Sequence, residues 1–300
     1  MATEALENEG HTGYQVEQVI VRCRKLTALE RAIPGRDGSN GDQQSDASAD
    51  SQWAEYLQHD CLVEERPIAI NYNGISHAVM MATPTDLEDF ALGFSLAEGI
   101  LQSPEELYGL DVIHHSPQGI ELNLQIHGAR LDHLKQLHRT LAGPTGCGLC
   151  GKASLEQTLR ALPRVTPSKL PSAEAQQLAL TALMNHQPLQ RLTGAIHAAA
   201  WCDREGGILL VREDVGRHNA LDKLIGGLRR GRISTADGFV VMSSRASYEL
   251  IAKAAQCNLG TLVTVSGATA MAAEQARLTG LNLIGFVRNG RQVVYHCVQP

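Results

Sequence analysis

The run Val211-Arg-Glu-Asp-Val-Gly216-Arg-His-Asn-Ala-Leu-Asp-Lys223 decides how the second half of the chain is read. Its first residues close an alternating apolar segment, Gly216 breaks the pattern, and Arg217 onward takes up helical spacing. Outward from it the alternation continues: strands at 196–202 and 207–213, a helix at 217–229, strand 238–243, helix 247–257, strand 261–265, helix 269–279, and strands 282–288 and 291–297. Strands alternating with helices imply a partly parallel, mixed sheet covered by helices, an α/β class. No internal repeat is visible. Arg212, Asp214, Arg217, His218 and Asn219 crowd a strand-to-helix passage, which is where α/β sheets bind ligands. A solvated turn stitched by exposed ion pairs, each worth little, competes with that reading.

Three more polar clusters fall on the same kind of junction. His197, followed by three alanines, is the titratable group on a tightly packed segment, and such a histidine is expected to be a hydrogen-bonded structural residue. Ser243-Ser244-Arg245-Ala-Ser-Tyr-Glu249 runs from strand into helix, and its hydroxyls and arginine suit a phosphate or a simple cap. Asn289-Gly290 marks a hairpin turn in Gly285-Phe286-Val287-Arg288-Asn-Gly-Arg291, whose arginines could clamp a phosphate.

Gly143-Pro-Thr-Gly-Cys147-Gly-Leu-Cys150-Gly-Lys152 carries two of the seven cysteines. Its glycines are costly in helix or strand, so a mobile loop over 143–152 is expected. Lys152 and a following helix start favour thiolate over thiol. Structural zinc ordinarily takes a second ligand pair, and neither a second Cys-x-x-Cys nor His-x₃-His follows; no metal site is expected. Cys202, Cys257 and Cys297 read as small core residues. Carriage of sulfur by a nucleophilic thiolate fits the loop best.

Ahead of the loop, residues 1–15 read as a disordered tail and Val16 to Leu26 as an edge strand. Residues 35–52 read as a flexible insertion, since Gly, Ser, Asp and Gln cannot offset the entropy of ordering them. Asn73-Gly74 joins two β-rich runs into a hairpin. Thr83 before Pro84 reads as the N-cap of an amphipathic helix through Leu87, Phe90, Ala91, Phe94 and Ala97, ending near Gly99. A second hairpin turns at 117–119, and short helices are expected at 131–141 and 154–162. Prolines 163, 167 and 171 punctuate a boundary, giving an N-terminal α+β domain over 16–165 and a C-terminal α/β domain over 166–300. Ser172 caps a long helix through Asn185. Polar, acidic residues at the start, 43% hydrophobic content without a spanning run, and unpaired cysteines point to a cytoplasmic protein outside the membrane. The formal charge of −6 argues against nucleic acid as partner.

Taken together the motifs resemble the formate dehydrogenase accessory sulfurtransferase family, FdhD. The likeness runs from about Val63 to Tyr295 and rests on Glu65-Arg-Pro-Ile with Asn73-Gly74; Thr83-Pro84 with Phe90-Ala-Leu-Gly-Phe94; Cys147-Gly-Leu-Cys150-Gly-Lys; Thr193-Gly194 with His197-Ala-Ala; Arg212 to Lys223; Ser244-Arg245-Ala-Ser-Tyr-Glu249; and Gly285-Phe-Val-Arg288. Pro144-Thr145-Gly146 and Ala195 depart from the family pattern by small-for-small changes. The resemblance implies a cysteine desulfurase as sulfur donor, a persulfide on Cys147 with Cys150 as partner or second carrier, and delivery to the molybdenum cofactor, bis-molybdopterin guanine dinucleotide. Formate dehydrogenase would be the protein served, and a homodimer is expected. It also implies that the cofactor is bound by Phe286, Val287, Arg288, Asn289, Gly290 and Arg291, together with Arg212, Asp214, Arg217, His218, Asn219, Ser244, Arg245 and Glu249. A cytidine-deaminase-like core in the C-terminal domain is implied as well. The deaminase reaction itself is not, because Ala198 and Ala199 follow His197 where a glutamate is needed. A non-catalytic cofactor chaperone is the remaining rival.

Overall fold

The structure is a computed structural model that describes residues 16–26, 53–132, 134, 161–288 and 290–298. The expected tail, the 35–52 insertion, the 143–152 loop with Cys147 and Cys150, residues 154–160 of the expected helix and Asn289 lie outside the described residues; Ala161 and Leu162, where that helix is expected to end, are not helical. The chain divides into two compact units, Val16–Leu62 and the residues from Val63 onward. The smaller holds β1 (Val16–Leu26) and β2 (Trp53–Val63), which pair as a two-stranded sheet.

In the larger unit the first sheet has the order β4-β3-β6-β5, with β3 Arg66–Tyr72, β4 Ile75–Ala82, β5 Leu107–His115 and β6 Gly119–Ile126. Asn73 and Gly74 both have positive φ (47° and 80°), the geometry of a tight hairpin turn, so the Asn-Gly signal is realised as read. Every second residue of β3, Ile68, Ile70 and Tyr72, faces the core beside Ile120, Leu122 and Leu124 of the parallel neighbour β6. Helix α1 (Leu87–Ala97) lies against this face and buries Phe90 and Phe94, each worth about 1.5–3 kcal/mol. Its N-cap is Asp86, in left-handed conformation, and not Thr83. Thr83 is fully buried instead and is tied to the second sheet, as described below.

The second sheet has the order β12-β11-β10-β9-β7-β8. Its strands are β7 (His197–Cys202), β8 (Ile208–Asp214), β9 (Phe239–Met242), β10 (Thr261–Thr264), β11 (Asn282–Arg288) and β12 (Arg291–His296). The strands β9, β10 and β11 are parallel; β7, β8 and β12 make antiparallel pairs, so the sheet is mixed as expected. Helices α4 (Arg217–Arg230), α5 (Tyr248–Gln256) and α6 (Ala270–Thr279) cover one face together with Trp201, Val240 and Met242. The other face, Ala198, Ala200, Cys202, Phe239 and Val241, is covered by α2 (Ala173–Asn185), which Ser172 caps through the Ala175 N–H at 3.1 Å. A short helix, α3 (Pro188–Thr193), follows. The expected division at 165/166 falls between the two sheets, and one hydrophobic core, from Ile68 to Leu283, serves both.

Two features were not visible in the sequence. The β9–α5 and β10–α6 segments are a structural repeat: Val240 pairs with Leu262, Ala246 bridges to Ala268, and the N-caps Ser247 and Thr269 and the left-handed residues Asn258 and Gly280 keep the same offset. Side-chain divergence hides it. The second feature is the crossing of α1 and α4. A Cβ on Gly93 would fall 1.7 Å from the Asp222 carbonyl oxygen, and one on Gly226 would fall 1.8 Å from that of Asp89. Bare glycines let the two backbones touch.

Candidate ligand site at the strand ends

Because β9, β10 and β11 are parallel and β7 is antiparallel to β9, the start of β7 and the ends of β8 to β11 meet at one edge. Asp214, which ends β8, is the anchor of that edge. It is completely buried and lies 2.8 Å from the equally buried Lys223 ammonium. Its carboxylate also accepts from the Thr83 N–H (3.0 Å), the Gly216 N–H (2.8 Å) and the Asn219 amide (3.0 Å). Thr83 returns the link: its hydroxyl accepts from Val215 N–H and its carbonyl from Lys223. The Val215–Gly216 turn is thereby fixed from both sheets, and Arg217 and His218 emerge at the first turn of α4. The exposed-ion-pair reading of this run is therefore replaced by a buried one.

Arg212 is likewise engaged, donating to Asp89 on α1 at 2.8 and 2.6 Å. Asp89 also takes Arg230 at 2.7 Å. Arg212, Asp214 and Asn219 thus hold the scaffold, and the geometry gives them positioning parts. A second buried pair lies beneath, Lys253 with Asp222 and Glu98, each at 2.9 Å. Burial opposes the Lys253 charge, but the two carboxylates outweigh it and hold the ammonium above its ordinary range; burial pushes the Asp222 carboxyl up to about 7 against the pull of Lys253.

Around the turn, His218 Nε2 lies 2.7 Å from Glu249 and 3.4 Å from the Ser247 hydroxyl, joining α4 to α5. Arg217 Nε is buried and has no hydrogen-bond partner among the described residues. Ser244 is buried and its hydroxyl donates to the Arg245 carbonyl, whereas Arg245 itself is exposed. The loops after β9 and β10 are laced together: Ala246 N–H donates to Gly267, and Thr269 N–H to Ala246, at 3.1 and 3.0 Å. Phe286 N–H donates to Ser266 on this same edge. Phe286 has φ of 54°, where the β11–β12 register shifts, and a non-glycine residue held there costs on the order of 1–3 kcal/mol. Its ring stacks over Gly267, and the Arg288 and Arg291 guanidiniums lie 6.0 and 5.9 Å from the ring centroid. Val287 points into the core, while Arg288, Gly290 and Arg291 are exposed. The edge therefore offers Arg217, Arg245, Arg288 and Arg291, serine hydroxyls and an aromatic face, a set suited to a phosphorylated, ring-bearing ligand.

His197 opens β7 opposite Asp214. Its ring makes no hydrogen bond among the described residues, contrary to the structural part expected of it, and it lines a cavity of about 640 Å³ with Gln187, Gln190, Arg191 and Ser243. Burial first, and Arg217 second, lower its pKa below the ordinary 6.5. Sequence reasoning missed the α3 residues of this cavity. The available signal was the polar run His186-Gln187-Pro188-Leu-Gln190-Arg191, with proline placed for a first helical turn. Among the described residues no cluster of three or more His, Cys, Asp or Glu could hold a metal, and no helix is long and apolar enough to cross a membrane.

Residues 63–299 match the FdhD/NarQ family. The chain is 49% identical over 236 residues to the sulfur carrier protein FdhD of Variovorax paradoxus, covering 79% of this chain and 84% of that one. It is 45% identical over 277 residues to the protein of that name from Acinetobacter baylyi, covering 90% and 98%. In fold it is similar to a crystal structure assigned as a formate dehydrogenase accessory protein from Desulfotalea psychrophila, with a TM-score of 0.65, 20% identity, and 93% and 97% of the two chains covered. The chain belongs to the FdhD/NarQ family.

Proposed function

We propose that this protein is a sulfur carrier for the maturation of formate dehydrogenase. Its relatives at 45–49% identity carry the name sulfur carrier protein, and the family match over residues 63–299 spans Cys147-Gly-Leu-Cys150; that is the observation on which the reading rests. In the loading step the Cys147 thiolate attacks the outer sulfur of a persulfide on a cysteine desulfurase. The new S–S bond forms on Cys147 and the donor's thiolate leaves. Cys150 is the partner thiol or a second carrier. The substrate that receives the sulfur is the molybdenum cofactor in its bis-molybdopterin guanine dinucleotide form.

The strand-end edge supports this reading by its chemistry. Arg217, Arg245, Arg288 and Arg291 can take phosphates, and the Phe286 face and serine hydroxyls can take rings and ribose. Asp214, Lys223, Arg212 and Asn219 hold that edge in place, and His218 with Glu249 ties α4 to α5 across it. The mixed sheet with three helices on one face is consistent with the deaminase-like core that the resemblance implies. A cytoplasmic homodimer completes the proposal.

The test is genetic and biochemical together. In cells lacking their own carrier, the wild-type chain should restore formate dehydrogenase activity and a stable, folded Cys147→Ala should not. A Cys147→Ala protein that restores full activity would replace the carrier with a non-catalytic cofactor chaperone.

A further inference from the structure

In the larger unit the two sheets end on β4, β5, β8 and β12. The outer side of an end strand presents unpaired backbone groups and pairs with another chain unless something covers or breaks it. On β4 the Met81 carbonyl takes the Asn219 amide at 2.9 Å, and on β8 the Val211 carbonyl takes the Arg212 guanidinium at 2.8 Å. β12 slips register twice against β11. β5 is the exception. It runs in unbroken register with β6 from Gly109 to His115, carries no lysine or proline, and has no strand on its other side among the described residues. Asp111, Ile113, His114 and His115 are all exposed, Ile113 to 40%.

The partner this side fits is a second copy of the same strand. Two copies of one strand meet antiparallel about a two-fold axis, so each register is defined by the residue on the axis. Residues directly opposite then share a face and interact. Centring on Asp111 sets two carboxylates against each other, and centring on His114 sets two imidazoles together. Centring on Val112 places Asp111 against Ile113. Centring on Ile113 brings the two isoleucines together on the axis and puts Asp111 opposite His115 on either side of it. Asp111, Ile113 and His115 share the face of β5 whose neighbours on β6 are Asn123 and Glu121. Glu121 already holds His115 Nε2 at 2.9 Å, which leaves Nδ1 to donate to Asp111 of the second copy. Of these registers, the one about Ile113 matches charge and apolar surface together.

We propose that two copies of the chain join through β5, antiparallel about Ile113, so that the two four-stranded sheets continue into one another. The proposal rests on the homodimer of the reading above and gives it an interface. A joint of two such strands falls below the roughly 1,200 Å² of a standard interface, so the association is weak and concentration-dependent. The experiment is sedimentation velocity of the full chain over a range of concentrations, for wild type, Ile113→Val and Ile113→Lys, each shown by circular dichroism to be folded. Wild type and Ile113→Val should dimerise alike. Ile113→Lys places two ammonium groups on the axis and should raise the dissociation constant about tenfold or more. Ile113→Cys and Asp111→Cys test the register without relying on the lysine variant. After mild oxidation and digestion, mass spectrometry should find a peptide linked to itself through position 113, whose two copies lie within disulfide reach, and none linked to itself through position 111. A folded Ile113→Lys that dimerises as wild type does, or a self-link at 111 without one at 113, overturns the β5 joint and leaves the homodimer standing. A wild type that stays monomeric at every concentration overturns both, and leaves sulfur carriage by Cys147 untouched.

Discussion

Replacing Gly93 by alanine should destabilise the protein, although alanine is the better helix former. In an open helix the change gains about 1 kcal/mol. Here the new methyl would sit 1.7 Å from the Asp222 carbonyl oxygen and 2.7 Å from Gly226 N. Relief to an ordinary contact requires α1 and α4 to part by roughly 1.5 Å, which a close-packed interior resists. Overpacking of this kind costs about 1–3 kcal/mol. The separation also stretches the hydrogen bonds of Asp89 to Arg212 and Arg230 and of Glu98 to Lys253, which span 2.6–2.9 Å. Losing even one such charge-assisted bond adds about 1.5–3 kcal/mol. The net expectation is a loss of about 3 kcal/mol, read as a lower urea midpoint at unchanged slope and a Tm lower by roughly 6–12 °C. Gly128→Ala is the control, since nothing lies within 4 Å of a Cβ there, and it should be neutral or slightly stabilising. A Gly93→Ala protein as stable as wild type would refute the glycine-mediated crossing.

Other expectations follow from the buried charges. Lys223→Met leaves the Asp214 carboxylate buried and unpaired, and should cost about 3–5 kcal/mol in urea unfolding; adding Asp214→Asn should recover part of that loss, because the uncompensated charge is then gone. His197 has a folded pKa below the ordinary 6.5, from burial and then Arg217. Its contribution to stability is therefore present above 6.5 and lost as the pH falls through the lowered value. His197→Gln should flatten the stability–pH curve on that acid side and leave it unchanged above neutrality; an identical acid-side slope in the variant would remove this assignment.

Much of this architecture was legible because periodicity reports burial directly. Ile68, Ile70 and Tyr72 alternate because one face of β3 is wet, and Asn73-Gly74 announced its turn because both residues tolerate positive φ. The N-cap at Thr83 was misplaced for a physical reason: a threonine before proline is a good local cap, but tertiary bonds to Asp214, Val215 and Lys223 claim it here. No local pattern carries a partner so distant in sequence. The same holds for Arg212 and Asp214, whose residue types suggested a ligand while their bonds go to Asp89 and Lys223. The cavity beside His197 escaped notice because residues distant in sequence, Gln187, His197 and Ser243, meet to line it, and one-dimensional reading does not contain that meeting. The Cys147-x-x-Cys150 motif is the reverse case: its thiols suggest chemistry by residue type alone, and they lie outside the described residues.

The proposed sulfur carriage by Cys147 has a direct readout in mass. Intact-protein mass spectrometry of wild type, Cys147→Ala and Cys150→Ala, after incubation with a cysteine desulfurase and cysteine, tests it most directly. The expected result is an adduct of about 32 Da, one sulfur atom, that dithiothreitol removes and that Cys147→Ala lacks. An adduct of equal yield in Cys147→Ala, or none in wild type with the desulfurase shown to be active, would contradict it.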